Sequence, residues 1–453
     1  MNDTICALAT AQGVGAIAVI RVSGSKTFEI MAHVFKSKNL ETVPSHTLHF
    51  GLIKDEHQII DEVLVSVFKN PRSYTKEDSV EISCHGSDYI VQKIIKLLLK
   101  HGCRLANPGE FTERAFLNGQ LDLAQAEAVA DLIAADSESL HLSAIHQIRG
   151  GFSLQIKDLR EKLINFASLI ELELDFGEED VQFADRDDLK HLIHRILNVL
   201  TPLIESFEMG NVVKEGVNTV ILGKPNVGKS TLLNALLNEE RAIVSEIAGT
   251  TRDVIEDVIV IEGIKFRMID TAGLRVTTDK IEEIGVQRAM EQLDKANIVL
   301  LIIDPTQITK EQALIQKQEI SQANKKVFLI GNKMDIVNEE TRNSFEESLG
   351  VIHWISAINK TNIDALKSNL VKNVLGLKSQ NSGTMITNLR HFHHLTQTKA
   401  TLEKVLEGLG HNLSGDFLAM DIRFALQSLG AITGQITTDD LLKNIFSKFC
   451  IGK

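Results

Sequence analysis

The chain is 453 residues long, 43% hydrophobic and 24% charged, with a formal net charge of −12. That length allows about two to four domains, and the composition is that of an ordinary globular protein. The acidic balance argues against a broad nucleic-acid-binding surface, and no Lys/Arg stripe with interleaved aromatics offsets it.

The first 118 residues read as a mixed α+β unit. Runs 16–22, 63–68 and 79–84 look like strands, and 89–101 has helical periodicity ending at Gly102. The N-terminus lacks a basic start, and Gly13 and Gly15 interrupt its apolar stretch, so no secretory signal is expected. From residue 121 the character changes. Ala, Leu, Glu, Asp and Gln dominate, proline is absent until Pro202, and apolar residues recur at three-to-four spacing. Long helices are expected within 121–175 and over 187–209. The acidic cluster Glu171, Glu173, Asp175, Glu178, Glu179 and Asp180 suits a solvated helix end, with docking of a basic partner as the alternative.

Residues 218–222 read as a short β-branched strand, 223–230 as G-K-P-N-V-G-K-S, and 230–237 as the start of a helix. Strand, glycine-rich loop and helix in that order make a phosphate-binding loop. Asn226, Val227, Gly228, Lys229, Ser230 and Thr231 are its nucleotide contacts. Lys229 places a charge between the β- and γ-phosphates, the Ser230 hydroxyl is a Mg²⁺ ligand, and the helix N-terminus adds partial positive charge. Segment 243–253, which contains Ser245, Glu246, Ile247, Ala248, Gly249, Thr250 and Thr251, reads as a switch loop. Thr250 or Thr251 supplies a second metal hydroxyl.

Residues 265–273 run from a strand into Asp270, Thr271, Ala272 and Gly273. Asp270 approaches the metal through water, and the Gly273 amide senses the γ-phosphate. Where Ras-like GTPases carry a water-orienting glutamine, this chain has Leu274. A carboxylate must come from elsewhere, and Asp279, Glu282 and Glu283 cluster next. A solvated acidic helix start is the plain reading of Asp279 and Glu283, and spacing alone does not select Glu282. The longest apolar run, 298–303, is a buried strand far too short for a bilayer, so no membrane association and a cytoplasmic location are expected.

Strand 327–331 leads into Asn332, Lys333 and Asp335. A carboxylate there accepts from guanine N1–H and the 2-amino group; adenine lacks that donor pair and would leave it unpaired. Ser356 and Ala357, after the strand-like 351–355, back the base with an amide. Four strand-ending loops thus converge on one edge of a parallel sheet. Helical periodicity resumes over 385–449. The expected domains are 1–118 (α+β), 119–215 (helical, first part), 216–378 (inserted G domain) and 379–453 (helical, second part). The ends of such an insertion lie close together, so a nucleotide-driven movement can lever the helices. Cys6, Cys84, Cys103 and Cys450 are widely spread without C-x-x-C, which supports neither a zinc site nor a disulfide framework.

The runs R-V-S-G, N-P-G-E-F-T-E-R-A-F-L-N-G, G-T-T-R-D, D-T-A-G-L-R and the terminal F-C-I-G-K together resemble the MnmE (TrmE) family of tRNA-modification GTPases, over essentially the whole chain. The resemblance implies an α/β and α architecture: an N-terminal folate-binding-like α+β domain that also dimerises, a helical domain, and an inserted Ras-like doubly wound P-loop GTPase domain. It implies K⁺-dependent GTP hydrolysis in a homodimer, with K⁺ on Asn226, Ser245, Ile247 and Thr250, Mg²⁺ on Ser230 and Thr251, and Glu282 organising the attacking water. It implies a pocket for 5-formyl-tetrahydrofolate formed by Arg21, Glu81, Gln120 and Lys453, although members often carry lysine at the position of Gln120. On the residues alone, Arg21 and Glu81 would be ordinary strand-edge charges. The implied partners are tRNA and an MnmG-type FAD protein in a heterotetramer, acting on C5 of the wobble uridine.

Cys450 is a candidate catalytic thiol near that chemistry, with Lys448 or Lys453 to activate it; a small packed side chain is the equal alternative. The terminal lysine and the absence of a polybasic segment argue against prenylation. A ribosome-assembly switch without modification chemistry would need a basic RNA-binding appendage, which the acidic balance and helical flanks disfavour. A folate-binding regulator whose GTPase gates association is a third reading.

Overall fold

The computed structural model describes residues 3–175, 185–237, 257–269, 293, 296–321, 325–375, 385–411 and 413–452. The chain divides into two units: Met1–Ile133 with Ala144–Leu197 and His394–Lys453, and Ala134–Ser143 with Asn198–His393.

The first unit opens with strands β1 (Thr4–Leu8), β2 (Ile17–Ser23), β3 (Thr47–Asp55), β4 (Gln58–Phe68), β5 (Ser79–His85) and β6 (Cys103–Leu105). They form one sheet in the order β3-β4-β5-β2-β1-β6. Only the β1–β6 pair is parallel. Alternate residues of β2 and β5 (Ala18, Ile20, Val22; Val80, Ile82, Cys84) are buried, as period-two side-chain geometry requires of a sheet with one core face. Helices α1 (Thr27–Val34) and α2 (Asp88–Lys100) close that core with Ile30, Met31, Val91, Ile94 and Leu98. The opposite face carries Arg21, Glu81 and His85. Helix α3 (Glu110–Leu117) covers its β1 end, where Phe111 packs on Ile5 and Ala7.

The helices expected within 121–175 are three: α4 (Leu123–Ile133), α5 (Glu138–Ile148) and α6 (Gly151–Asp175). The Ser137 hydroxyl accepts the Leu140 amide at 3.3 Å and so starts α5 afresh, while Gly150 takes φ 81° between α5 and α6. Helix α7 (Arg186–Glu215) outruns its expected end, passes through Pro202 and stops only at Gly216. Two members of the acidic cluster are paired rather than simply solvated: Glu173 with Arg186 and Glu171 with Arg423, each at 2.8 Å. Glu178, Glu179 and Asp180 lie outside the described residues.

The second unit is an α/β layer. Strands β7 (Val217–Leu222), β8 (Asp257–Ile261), β9 (Ile264–Met268), β10 (Ile298–Ile303), β11 (Lys326–Gly331) and β12 (His353–Trp354) lie in the order β12-β11-β10-β7-β9-β8. All pair in parallel except β8, an antiparallel edge. The expected strand 351–355 shortens to β12, and β8, a β-branched D-V-I-V-I run turned back onto β9 at Glu262-Gly263, was not singled out in the sequence. Strand β10 is buried throughout and feeds two cores. Ile298, Leu300 and Ile302 pack with α8 (Lys229–Leu237) and α11 (Ile363–Leu375). Val299, Leu301 and Ile303 pack with α9 (Lys310–Ser321) and α10 (Glu339–Leu349). A sheet with helices on both faces is doubly wound.

Helices α12 (Leu389–Gly410), α13 (Gly415–Thr433) and α14 (Asp439–Phe446) complete the chain. Within the second unit, the two ends of the segment around the α/β layer meet. The Ile386 amide donates to Ser206 Oγ at 3.1 Å, Phe207 stacks on Phe392 at 4.2 Å, and Gly210 leaves no room for a Cβ against the Ile386 carbonyl. Among the described residues, no helix is long and apolar enough to cross a membrane.

Candidate functional site

The loop between β7 and α8 carries the phosphate-binding sequence. Asn226 sits at φ 62° and Gly228 at φ 99°. Lys229 donates to the carbonyls of Gly223 (2.6 Å) and Lys224 (2.9 Å), which holds its ammonium at the loop's own rim. Burial holds its pKa below the ordinary lysine value. Ser230 and Thr231 are exposed in the first turn of α8, where unpaired helix N–H groups favour anions.

Asn332, at the end of β11, is 3% exposed and joins the loops into one assembly. Its Nδ2 donates to the Val227 carbonyl at 2.8 Å, and its Oδ1 accepts the Ala357 amide at 3.0 Å. The phosphate loop and the Ser356-Ala357 element are therefore fixed through one side chain. Ser356 and Ala357 are buried, while Asp335 is exposed beyond them. A Cβ on Gly228 would collide with Asn332 Nδ2. Gly228→Ala should consequently break the Asn332–Val227 bond and strain the backbone, weakening guanine-nucleotide binding by about 2 kcal/mol, roughly thirtyfold. Fluorescent-GDP titration reads this; unchanged affinity would show that the loop tolerates the shift.

One functional neighbour was not foreseen. Asp304, fully buried after β10, pairs with Lys333 Nζ at 2.6 Å and accepts from the Thr306 amide (3.0 Å) and hydroxyl (2.7 Å). Burial pushes its carboxyl up, but Lys333 and Thr306 outweigh that and hold it below the usual range. It thereby pins Lys333, which sits at φ 61°. The only available sign was a carboxylate closing an apolar strand. Ser245, Glu246, Ile247, Ala248, Gly249, Thr250, Thr251, Asp270, Thr271, Ala272, Gly273 and Glu282 lie outside the described residues.

In the first unit, Arg21 and Glu81 face each other in register on β2 and β5. Both are on central strands, so the strand-edge reading is corrected: the pairing partner, 60 positions away, is invisible in the linear chain. Arg21 Nε and Nη2 donate to Glu81 Oε1 at 3.0 and 2.8 Å. The guanidinium carbon lies 5.4 Å from the Tyr74 ring centre and 5.5 Å from that of Phe111. Two aromatic residues that sequence reasoning missed therefore flank the pair. Exposed Gln120 belongs to a loop fastened beside Tyr74, through Asn118 Nδ2 to Thr75 O (2.7 Å) and Lys76 Nζ to Gly119 O (2.8 Å). The C-terminal tail comes to the same sheet. Gly109 N donates to Cys450 O at 3.3 Å, and Gly452 abuts the Leu8 carbonyl. The Cys450 thiol is exposed; Lys453 lies outside the described residues.

Residues 4–120 match the family described as GTP-binding protein TrmE N-terminus, and residues 123–450 match the MnmE helical domain. The tRNA modification GTPase MnmE of Cytophaga hutchinsonii is 56% identical over 453 residues, covering 100% of this chain and 98% of that protein. The chain belongs to the MnmE family of tRNA modification GTPases. The MnmE of Flavobacterium johnsoniae is 53% identical, covering 100% and 99%. Among solved structures, the FeoB G-domain from Methanococcus jannaschii is 27% identical, covers 35% of this chain and 97% of its own, and has a TM-score of 0.27, too slight to bear on the fold.

The stretch 107–119 that marks the resemblance to MnmE proteins has a physical role in this chain. Arg114 is 1% exposed and bonds Glu110 (2.9 Å), Asp3 (2.8 Å) and Glu77 (3.2 Å). Breaking a buried pair costs several kcal/mol, so these contacts pin α3 to the sheet and keep Phe111 beneath Arg21. Gly109 approaches the Phe446 carbonyl closely, with 2.6 Å to a would-be Cβ, and so admits the terminal segment.

Proposed function

We propose that this GTP hydrolase acts as a K⁺-dependent homodimer. With an FAD-bearing MnmG-type partner, it adds a carboxymethylaminomethyl or aminomethyl group to C5 of the wobble uridine of certain tRNAs in the cytoplasm. The observation that carries the nucleotide part is Asn332, which locks Val227 to Ala357 and leaves Asp335 exposed to read guanine.

Mg²⁺ is held by Ser230 and Thr251, and K⁺ by Asn226, Ser245, Ile247 and Thr250. The described members of those sets fit: Ser230 and Asn226 are exposed neutral oxygen donors on the phosphate loop. When bound, the two cations supply positive charge against that developing on the phosphates. Glu282 orients the water that Leu274 cannot. The homodimer reading is supported by the sheet face on which Ile17, Leu48, Phe50 and Leu64 stand exposed. Arg21, Glu81, Gln120 and Lys453 take 5-formyl-tetrahydrofolate. The paired guanidinium and carboxylate between Tyr74 and Phe111 suit a flat ring bearing donors and acceptors. The folate supplies the one-carbon unit.

Mass spectrometry of tRNA nucleosides from a deletion strain tests the whole reading. Loss of the C5 substituent at the wobble uridine is expected, with restoration by the intact gene. An unaltered nucleoside profile would reject it.

A further inference from the structure

We propose that the ion pair between Lys265 and Asp136 carries the nucleotide state of the α/β layer to the helical segment 134–143; the inference rests on 243–253 and Asp270 being nucleotide-sensing loops. Strands β8 and β9 form a hairpin paired from Asp257–Met268 to Ile261–Ile264 and closed by the two-residue turn Glu262-Gly263. Both turn residues take positive φ, 48° and 78°, as a tight hairpin turn requires. The open end of the hairpin continues into the two sensing loops. Strand β8 starts four residues after position 253, and β9 stops two residues before Asp270. The closed end lies about 13 Å away along the strands. Cross-strand hydrogen bonds make the pair one stiff element, so a shift imposed at the open end displaces the turn.

The helical segment is attached at that closed end. Gly263 sits against Ser139, whose Oγ is 3.3 Å from a would-be Cβ, and against Glu138 at 3.8 Å. Beside the turn, Lys265 Nζ pairs with Asp136 Oδ2. The Lys265 side chain is only 14% exposed. Its stem covers Gly216, where α7 gives way to β7, with Cγ 3.1 Å from a would-be Cβ. The turn is also held from α11, where Ser368 Oγ donates to Glu262 Oε1 at 3.2 Å. An exposed ion pair is worth little because its side chains swing freely. A stem packed on Gly216 cannot follow the segment freely, and a relative movement of about 1 Å takes the pair out of hydrogen-bond range. Residues 134–143 group with the α/β layer, whereas α4 and α6, before and after them in the chain, group with the first unit. The segment is therefore a piece of the helical chain held by the α/β layer, apart from the seam at Ser206, Phe207 and Ile386.

Hydrogen exchange on the full chain, loaded with GDP or with a non-hydrolysable imido analogue of GTP, tests this. In the wild type, amides of 134–143 should exchange at rates about tenfold apart in the two states. Lys265→Glu and Asp136→Lys should each shrink that difference to about twofold, and the two together, which restore an ion pair of opposite sense, should bring it back. Nucleotide affinity should stay within about twofold throughout, since neither residue belongs to the nucleotide loops. Modification of tRNA in the deletion strain should follow the exchange, falling about tenfold with each single variant and recovering with the double. Equal exchange in the two states of the wild type, with both nucleotides bound, overturns the relay while the GTPase assignment stands. Single variants that keep the full difference overturn it too, as does a double variant that recovers neither readout. A fall in nucleotide affinity in either single variant would make the pair a prop of the α/β layer instead.

Discussion

Asp335→Asn is expected to lower GTP affinity by about two to three orders of magnitude and to make xanthosine triphosphate the preferred nucleotide. Position 335 is exposed just beyond Asn332 and Lys333, and both neighbours are held by other bonds, Asn332 to Val227 and Ala357, Lys333 to Asp304. The substitution should therefore change base reading without loosening the loop. A carboxylate accepts two hydrogen bonds from the N1–H and 2-amino edge of guanine; an amide turns one acceptor into a donor and meets the 2-amino group donor to donor. Xanthine presents a carbonyl there and restores the match. Competition between the two nucleotides against a fluorescent analogue measures the switch. Retained preference for GTP would mean that another group reads the base.

The second large effect concerns the monovalent cation. Replacing K⁺ by Na⁺ at constant ionic strength should reduce turnover by about a hundredfold, since the charge supplied by an arginine finger is worth that much or more. Affinity for GTP should stay within about twofold, because Lys229, Asn332 and Asp335 do not depend on the ion. Asn226→Ala should lower turnover in K⁺ to the same level. Asn226 is exposed and makes no hydrogen bond like those of Asn332 among the described residues, but it sits at φ 62°, where alanine is less at ease than asparagine, so the variant should lose only about 1 kcal/mol of stability and stay folded in the assay. Phosphate release under single-turnover conditions reads both changes. Equal rates in the two salts would remove K⁺ from the mechanism.

Legibility of the chain followed the range of the interactions. Strand β10 is recognisable because six consecutive aliphatics, 298–303, have one physical use, burial on both faces of a parallel sheet. The phosphate loop is equally local. What stayed hidden depends on distant partners. Arg21 and Glu81 are unremarkable until β2 and β5 pair, and Tyr74 and Phe111 reach them only through a loop and a helix pinned by Arg114. Asp304 and Lys333 looked unrelated, yet one orients the other. Several helices were expected within 121–175, but the positions of their breaks, near Ser137 and Gly150, were not, because the apolar spacing continues across both. The expected solvated character of Glu171 and Glu173 missed arginines at 423 and 186.

The fastening of Ser206, Phe207 and Gly210 to Ile386 and Phe392 has an evolutionary and biosynthetic reading. A long excursion whose start and finish touch can be spliced into a host chain for little more than the entropy of closing one loop, which grows only logarithmically with its size. Gly210 is then the stitch: any larger residue would prise the seam apart. A ribosome delivering this polypeptide can let the excursion condense by itself and complete the surrounding helices once the seam has been sewn.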